Sequence, residues 1–422
     1  MKIFVMLLLM LCIPFVLSAC GASDTPDVPD IFDTSGTSED VAVDPVVKTA
    51  AELRSMGYIP EDVSGRMFES SGEGIYNYCP SIFEASDGVR HIYYCTNKDN
   101  KLIYDYIGYR SAVKASDTDV WYYSPETLVL APLEKVTVWD KDDYNSSGFS
   151  WYSLHICDPS VIKGRFTYYD YTYQYLMAVL VCANPYCLDN EIALAVADAP
   201  EGPWILCDDT VNPVVRSKRM MADWGVGQPE MISMDQAGQV WLLYTEAAAG
   251  AVWQAYDMSD LQNVQTISAR IAPSRAGTSD RVTGRNHALY NSAYAWDPDT
   301  SCLYMITEKF PHYIHGEEPV YPDQVGAVQE LFCYEYDAEN PLELIRYARA
   351  DRWKSLCTIG PEDSGKPRNH NAAIIRDPYG YINGNGIIEM AVTVNDAGDT
   401  GDNNTYLWDY RIARFEYDNA EQ

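Results

Sequence analysis

"RNHALYNSAYAWDP", residues 285–298, and "RNHNAAIIRDP", residues 368–378, open on the same Arg-Asn-His and close on the same Asp-Pro. Setting Asn291 against Asn371 brings Asp297-Pro298 and Asp377-Pro378 into phase, six residues further on. After each Asp-Pro comes a turn and then a second apolar run, "CLYMITE" or "IIEMAVTV". That pattern is strand, turn, strand. It recurs three times upstream. "YCPSIFEASDGVRHIYYCTN" aligns Cys79 with the two Asn residues, "CDPSVIKGRFTYYDYTYQYLMAVLVCA" aligns Asp158, and "GQPEMISMDQAGQVWLLYTEAA" aligns Gln228. A third strand follows each pair: "YIGYRSA", "EIALAVAD", "VWQAYDMS", "LFCYEYD" and "DYRIARFEYD". The first four repeats add a fourth: "ETLVLAP", "PWILCDD", "VQTISARIA" and "LIRYARA".

The aligned positions stand 79, 70, 63 and 80 residues apart. Repeats of four short antiparallel strands at near-even spacing predict an all-β fold, a five-bladed β-propeller over residues 51–422. A pair of β-sandwiches is the alternative, and it gives no reason for repeats in phase. The fifth repeat lacks an outer strand, so the segment 51–71 is expected to supply one and close the ring. The first strand of each blade lines the channel of a propeller. Cys79, Asp158, Gln228, Asn291 and Asn371 should therefore form a ring near one mouth, and only Asp158 among them carries a carboxylate.

The ends of the chain read differently. "MKIFVMLLLMLCIPFVLSACG" has one Lys, an apolar run and small residues before Cys20, the pattern of a secretory leader. Its Leu-Ser-Ala-Cys resembles the bacterial lipobox, which implies lipidation of Cys20 after removal of residues 1–19. Residues 20–50, rich in Asp, Pro, Ser, Thr and Gly, read as a disordered acidic linker. The expected location is outside the cytoplasm, at the cell surface or facing the periplasm, with the membrane reached through lipid only. The 422 residues carry a formal charge of −31, which repels nucleic acid and anionic lipid. Of 11 Cys, most lie in apolar runs such as "HIYYCTN" and "ELFCYEYD" and read as packed thiols. No metal spacing is evident, and Cys182–Cys187 is the one local bridge the spacing allows.

Three phrases resemble the five-bladed propeller glycoside hydrolases, especially families 43 and 32. "CDPSVI" (157–162) is similar to their Asp-Pro-Ser-Val inner strand, "EIALAVADAPEGPW" (191–204) to a third strand, and "RNHNAAII" (368–375) to a fifth-blade phrase with a central His. The likeness runs from about Tyr76 to Tyr417. It implies cleavage of glycosidic bonds in poly- or oligosaccharides by carboxylates at the channel mouth. It puts Asp158 on a transition-state-stabilising Asp, makes Glu230 a candidate general acid, and implies a structural calcium in the channel, held through water by His370. No other cofactor is expected. Cys79 departs from the pattern, because a carboxylate belongs there and a thiol cannot replace it as the base. Substrate contacts are expected from Cys79, Gln228, Asn291 and Asn371, from His155 and His287, and from Trp224, whose ring could stack on a sugar face. Two other readings remain open: a glycan-binding propeller that lost its first-blade Asp, and a purely structural or protein-binding one.

Overall fold

The computed structural model describes residues 48–62, 65–97, 105–132, 155–182, 188–217, 223–247, 249–278, 289–309, 328–335, 353–384, 386–395 and 409–419. Cys20, Cys187, His287 and the "LIRYARA" segment lie outside them. Among the described residues no helix is long and apolar enough to cross a membrane.

The chain enters through a short helix, Ala50–Ser55, capped by Thr49, whose hydroxyl accepts from the Glu52 amide. Five antiparallel sheets follow, arranged as the blades of a propeller. The first holds β1 (Ile59–Pro60), β2 (Asn77–Glu84), β3 (Arg90–Asn97), β4 (Asp105–Lys114), β5 (Trp121–Tyr123) and β6 (Thr127–Leu130). The second holds β7 (His155–Tyr168), β8 (Tyr171–Cys182), β9 (Glu191–Ala197) and β10 (Ile205–Leu206). In the third are β11 (Val226–Ser233), β12 (Gln239–Glu246), β13 (Gly250–Asp257) and β14 (Gln265–Thr266). The fourth consists of β15 (Ala293–Asp297), β16 (Cys302–Glu308), β17 (Gln329–Glu335) and β18 (Trp353–Ile359). The fifth has β19 (Arg368–Ile374), β20 (Ile387–Asn395) and β21 (Arg411–Asp418).

The middle strands read as nearly unbroken apolar runs because both faces are covered by neighbouring blades. All seven residues of β9 are buried, for example. The core is therefore a set of layers between blades. Ile162, Leu176, Leu194, Leu242 and Tyr256 fill the layer between the second and third. Trp241, Trp253, Tyr294 and Trp353 meet edge-on between the third and fourth.

The ring closes as the sequence suggested. Arg66 pairs antiparallel with Ala413, and the Met67 amide donates to the Ile412 carbonyl at 2.8 Å. The N-terminal segment thus forms the outer edge of the last blade. One strand differs from expectation: the outer strand of the fourth blade is β18, further along the chain than "LIRYARA". The cysteines differ as well. Cys95 and Cys157 are disulfide-bonded across the first two blades, and Cys302 and Cys333 within the fourth. Their apolar surroundings made them look like packed thiols, and no local spacing marks a bridge between strands of different blades.

The twin Asp-Pro phrases end differently. Asp297 turns into an ordinary hairpin, where its carboxylate accepts from Asp299 and Thr300. Residues 376–382 instead run across the far end of the channel and bond to every other blade. The Glu84 amide donates to the Arg376 carbonyl (2.8 Å), the Lys163 amide to Pro378 (2.7 Å), the Ser233 amide to Tyr379 (2.8 Å) and the Trp296 amide to Gly380 (3.1 Å). Gly380 sits at φ +92, and a Cβ there would lie 3.1 Å from the Ile232 Cα and the Met231 carbonyl. The tight approach and the left-handed backbone together favour glycine.

Candidate functional site

The five aligned residues share one backbone feature. Cys79, Asp158, Gln228, Asn291 and Asn371 all have positive φ, between 36° and 51°. Left-handed backbone is uncommon outside glycine, though Asn and Asp tolerate it better than most. In four blades the inner strand shifts register at this residue: between Tyr78 and Ser81, Cys157 and Ser160, Gly227 and Glu230, and His370 and Ala372. These are β-bulges, which insert one extra residue and re-aim its side chain. Pro follows it in the first three blades, where a missing N–H suits an interrupted ladder. The bulges, with the left-handed Asn291 of the fourth blade, bring all five residues to one open pocket of about 30 Å³, room for a water or two.

The ring is hydrogen-bonded to itself. The Cys79 Sγ faces the Asp158 carboxylate within 4.8 Å, and the Asn371 side chain faces the same sulfur. The Gln228 amide supports Asp158, and the Asn291 amide donates to the Gln228 Oε1 at 3.1 Å. Burial pushes the Asp158 carboxyl up to about 6. The Cys79 hydrogen bond, His370 and the Gln228 amide oppose that shift, while the Asp105 charge adds to it. Burial, with the Asp158 charge next, also pushes the Cys79 thiol well up, so it is a thiol and not a thiolate.

Glu230 lines the same pocket but is held from below. Its Oε1 lies 2.5 Å from the Arg376 guanidinium and accepts from the Ser160 hydroxyl at 2.6 Å. Burial raises the Glu230 carboxyl, and Arg376 and Ser160 pull against it. Arg376 also donates to the Tyr294 carbonyl (3.0 Å) and to Ser160 (3.3 Å). Starting in the fifth blade, its side chain thus reaches the inner strands of the second, third and fourth. It fills the channel below the ring. A calcium on that axis does not fit the residues present: a guanidinium already stands there, and Glu230 is its counter-charge.

His370 precedes the ring residue Asn371, and its Nδ1 is held by the Glu308 carboxylate, which also lies 3.4 Å from the Asn371 amide. Its ring stacks on Tyr410 at 5.8 Å. His155 is buried, with Nδ1 3.3 Å from Asp105, whose other oxygen accepts from Tyr76 at 2.5 Å. Trp224 is partly buried against Cys95, Cys157, Leu180 and Cys182. The structure therefore gathers Cys79, Asp158, Gln228, Glu230, Asn291 and Asn371 into one pocket, and leaves His155 and Trp224 among its supports. Arg376, Glu308 and Asp105 were missed. An Arg inside the apolar "NAAIIRDP" was the one visible sign of the first.

No protein-family model matches the chain, and no curated protein does either. Among solved structures the chain is similar to a fructofuranosidase from Schwanniomyces occidentalis complexed with fructosylnystose. The identity is 12% and the TM-score 0.50, covering 89% of this chain and 61% of that one. It is also similar to a family 117 glycoside hydrolase from Zobellia galactanivorans, at 15% identity and TM-score 0.48, covering 86% and 89%. A third is an α-L-arabinofuranosidase from Lactobacillus brevis, at 8% identity and TM-score 0.49, covering 81% and 90%. At such identities the likeness is one of fold: a five-bladed propeller whose structural neighbours are glycoside hydrolases.

Proposed function

We propose that this chain is a carbohydrate-active propeller that seats a sugar on the channel mouth and cleaves its glycosidic bond, with Asp158 as the proton donor. The observation that carries the reading is the ring itself. Five left-handed residues, four of them at bulges, aim one acid, one thiol and three amides at one pocket, and among the described residues no cationic side chain is ion-paired with the acid. Amides that both donate and accept suit sugar hydroxyls. A carboxyl with a value of about 6 keeps its proton into the weakly acidic range, as a general acid requires. A fold neighbour, the fructofuranosidase complexed with fructosylnystose, supports a carbohydrate ligand. The pocket is open and small, about 30 Å³, so the sugar lies on its rim with its reacting edge facing down. His370, fixed by Glu308 through Nδ1, stands beside the ring with Nε2 on its other side. We assign it the water or a sugar hydroxyl. The leader before Cys20 supports a lipid-anchored position outside the cytoplasm.

Two observations favour a second reading, a glycan-binding propeller without turnover: Cys79 stands where the resemblance implies a carboxylate, and Glu230 is tied to Arg376. Aryl glycosides and oligosaccharides offered to the wild type and to Asp158→Asn separate the readings. Turnover that drops about 10²–10⁴-fold in the variant, with binding kept, supports hydrolysis. Sugar binding without turnover by the wild type moves the assignment to the binding module. Neither binding nor turnover overturns both.

A further inference from the structure

Beside the ring lies a sulfur cluster that glycoside chemistry does not use. Sγ of Cys79, Sγ of Cys95 and a carboxylate oxygen of Asp158 all lie within 4.8 Å of one another. Cys157, bridged to Cys95, brings its own Sγ to 3.2 Å from the same Asp158 carboxylate. Three blade elements supply these groups: β2 gives Cys79, β3 gives Cys95, and β7 gives Cys157 and Asp158. Cys79, Cys95 and Asp158 form the mutually close group, and Cys157 adds a third sulfur through its approach to Asp158, which makes four donors in number and kind. Thiophilic ions such as zinc take such sets, with metal–sulfur distances of about 2.3 Å and so about 3.8 Å between ligand sulfurs.

The surroundings suit that role. The Asp158 amide donates to Cys95 Sγ at 2.9 Å, and the Tyr78 hydroxyl to Cys157 Sγ at 2.9 Å. Outer hydrogen bonds to sulfur orient ligands and steady thiolates. Leu180, Cys182 and Trp224 pack around the group and limit water access.

We infer that Cys79, Cys95, Cys157 and Asp158 form a site for a thiophilic divalent metal ion once the Cys95–Cys157 bridge is reduced. A small dithiol reductant delivers two electrons and two protons to the bridge and is itself oxidised to a cyclic disulfide. The metal ion then displaces the protons of the three thiols to solvent and takes the Asp158 carboxylate as its fourth ligand. The site makes Asp158 either a proton donor or a metal ligand, never both at once. It does not rest on the glycan reading, since metal uptake is measured without sugar.

The probe is Co²⁺, added to the folded full chain before and after reduction. After reduction we expect uptake of one equivalent, with a thiolate-to-cobalt charge-transfer band that Zn²⁺ abolishes. The unreduced chain should show no such band. Cys79→Ser and Asp158→Asn, each checked as folded by circular dichroism, should weaken uptake at least 10-fold, while Cys357→Ser, in the outer strand of the fourth blade, should not. Absence of the band in the reduced wild type overturns the site. So does an equal band in the unreduced chain, or undiminished uptake by the Cys79 variant.

Discussion

Replacing Asp158 with Asn should make the protein more stable at alkaline pH, although it removes the proposed proton donor. Burial holds the folded-state carboxyl at about 6, against an ordinary 3.8. Folding therefore disfavours the ionised form. The penalty is full above about pH 6 and fades as pH falls toward 4, where the unfolded carboxyl also takes up its proton. Roughly two units at about 1.36 kcal/mol each give ~3 kcal/mol at pH 8, and under ~1 kcal/mol at pH 4. Asn is nearly isosteric, and its carbonyl can still accept from Cys79 and from the Gln228 amide. With a urea slope of about 3 kcal/mol/M, the midpoint of Asp158→Asn should rise by ~1 M at pH 8 and hardly move at pH 4. Tryptophan fluorescence and circular dichroism should report coincident transitions in both proteins. A variant less stable than wild type at pH 8, or one equally stabilised at both pH values, would refute the assignment of a desolvated, ionisable acid at the ring.

The channel pair behaves in the opposite way. Arg376→Met strands the buried Glu230 carboxylate and should cost about 3–5 kcal/mol, while Glu230→Gln combined with Arg376→Met should recover part of that loss in the same urea assay. Gly380→Ala forces a side chain into a left-handed residue packed on Ile232 and should cost at least about 1–2 kcal/mol, seen as a lower thermal midpoint. In glycoside assays, turnover should fall as pH rises through about 6, because the donor form of Asp158 is then lost.

The ring was legible because one physical requirement repeats. Each inner strand bends at a residue with positive φ before its apolar run, so Cys79, Asp158, Gln228, Asn291 and Asn371 could be aligned on pattern alone. The closing edge was legible too, since a blade short of one strand must borrow it, and Arg66 and Met67 supply it. What stayed hidden depends on pairs distant in sequence. Arg376 meets Glu230 and His370 meets Glu308 across blades, and nothing local in either phrase names the partner. Cys95 and Cys157 sit in strands that would be apolar anyway, so their bridge left no pattern to read. The outer strand of the fourth blade was misplaced because "LIRYARA" and "WKSLCTI" are similarly apolar, and only pairing with β17 distinguishes them.

The strap formed by residues 376–382 has a consequence for how the molecule comes into being. A chain emerging from its N-terminus has four blades in hand before the residues that seal their floor exist. Arg66 and Met67 wait for Ile412 and Ala413, and the inner strands of the first four blades wait for the strap. The edge closure spans 347 residues at Arg66–Ala413 and the strap closures from 84 (Trp296–Gly380) to 292 (Glu84–Arg376), and their entropy is lost before the contacts return it. Closure of the ring therefore waits until nearly the whole chain is present. The repeated phrase that looks like a copy is, in its second occurrence, the step that makes the earlier blades worth forming.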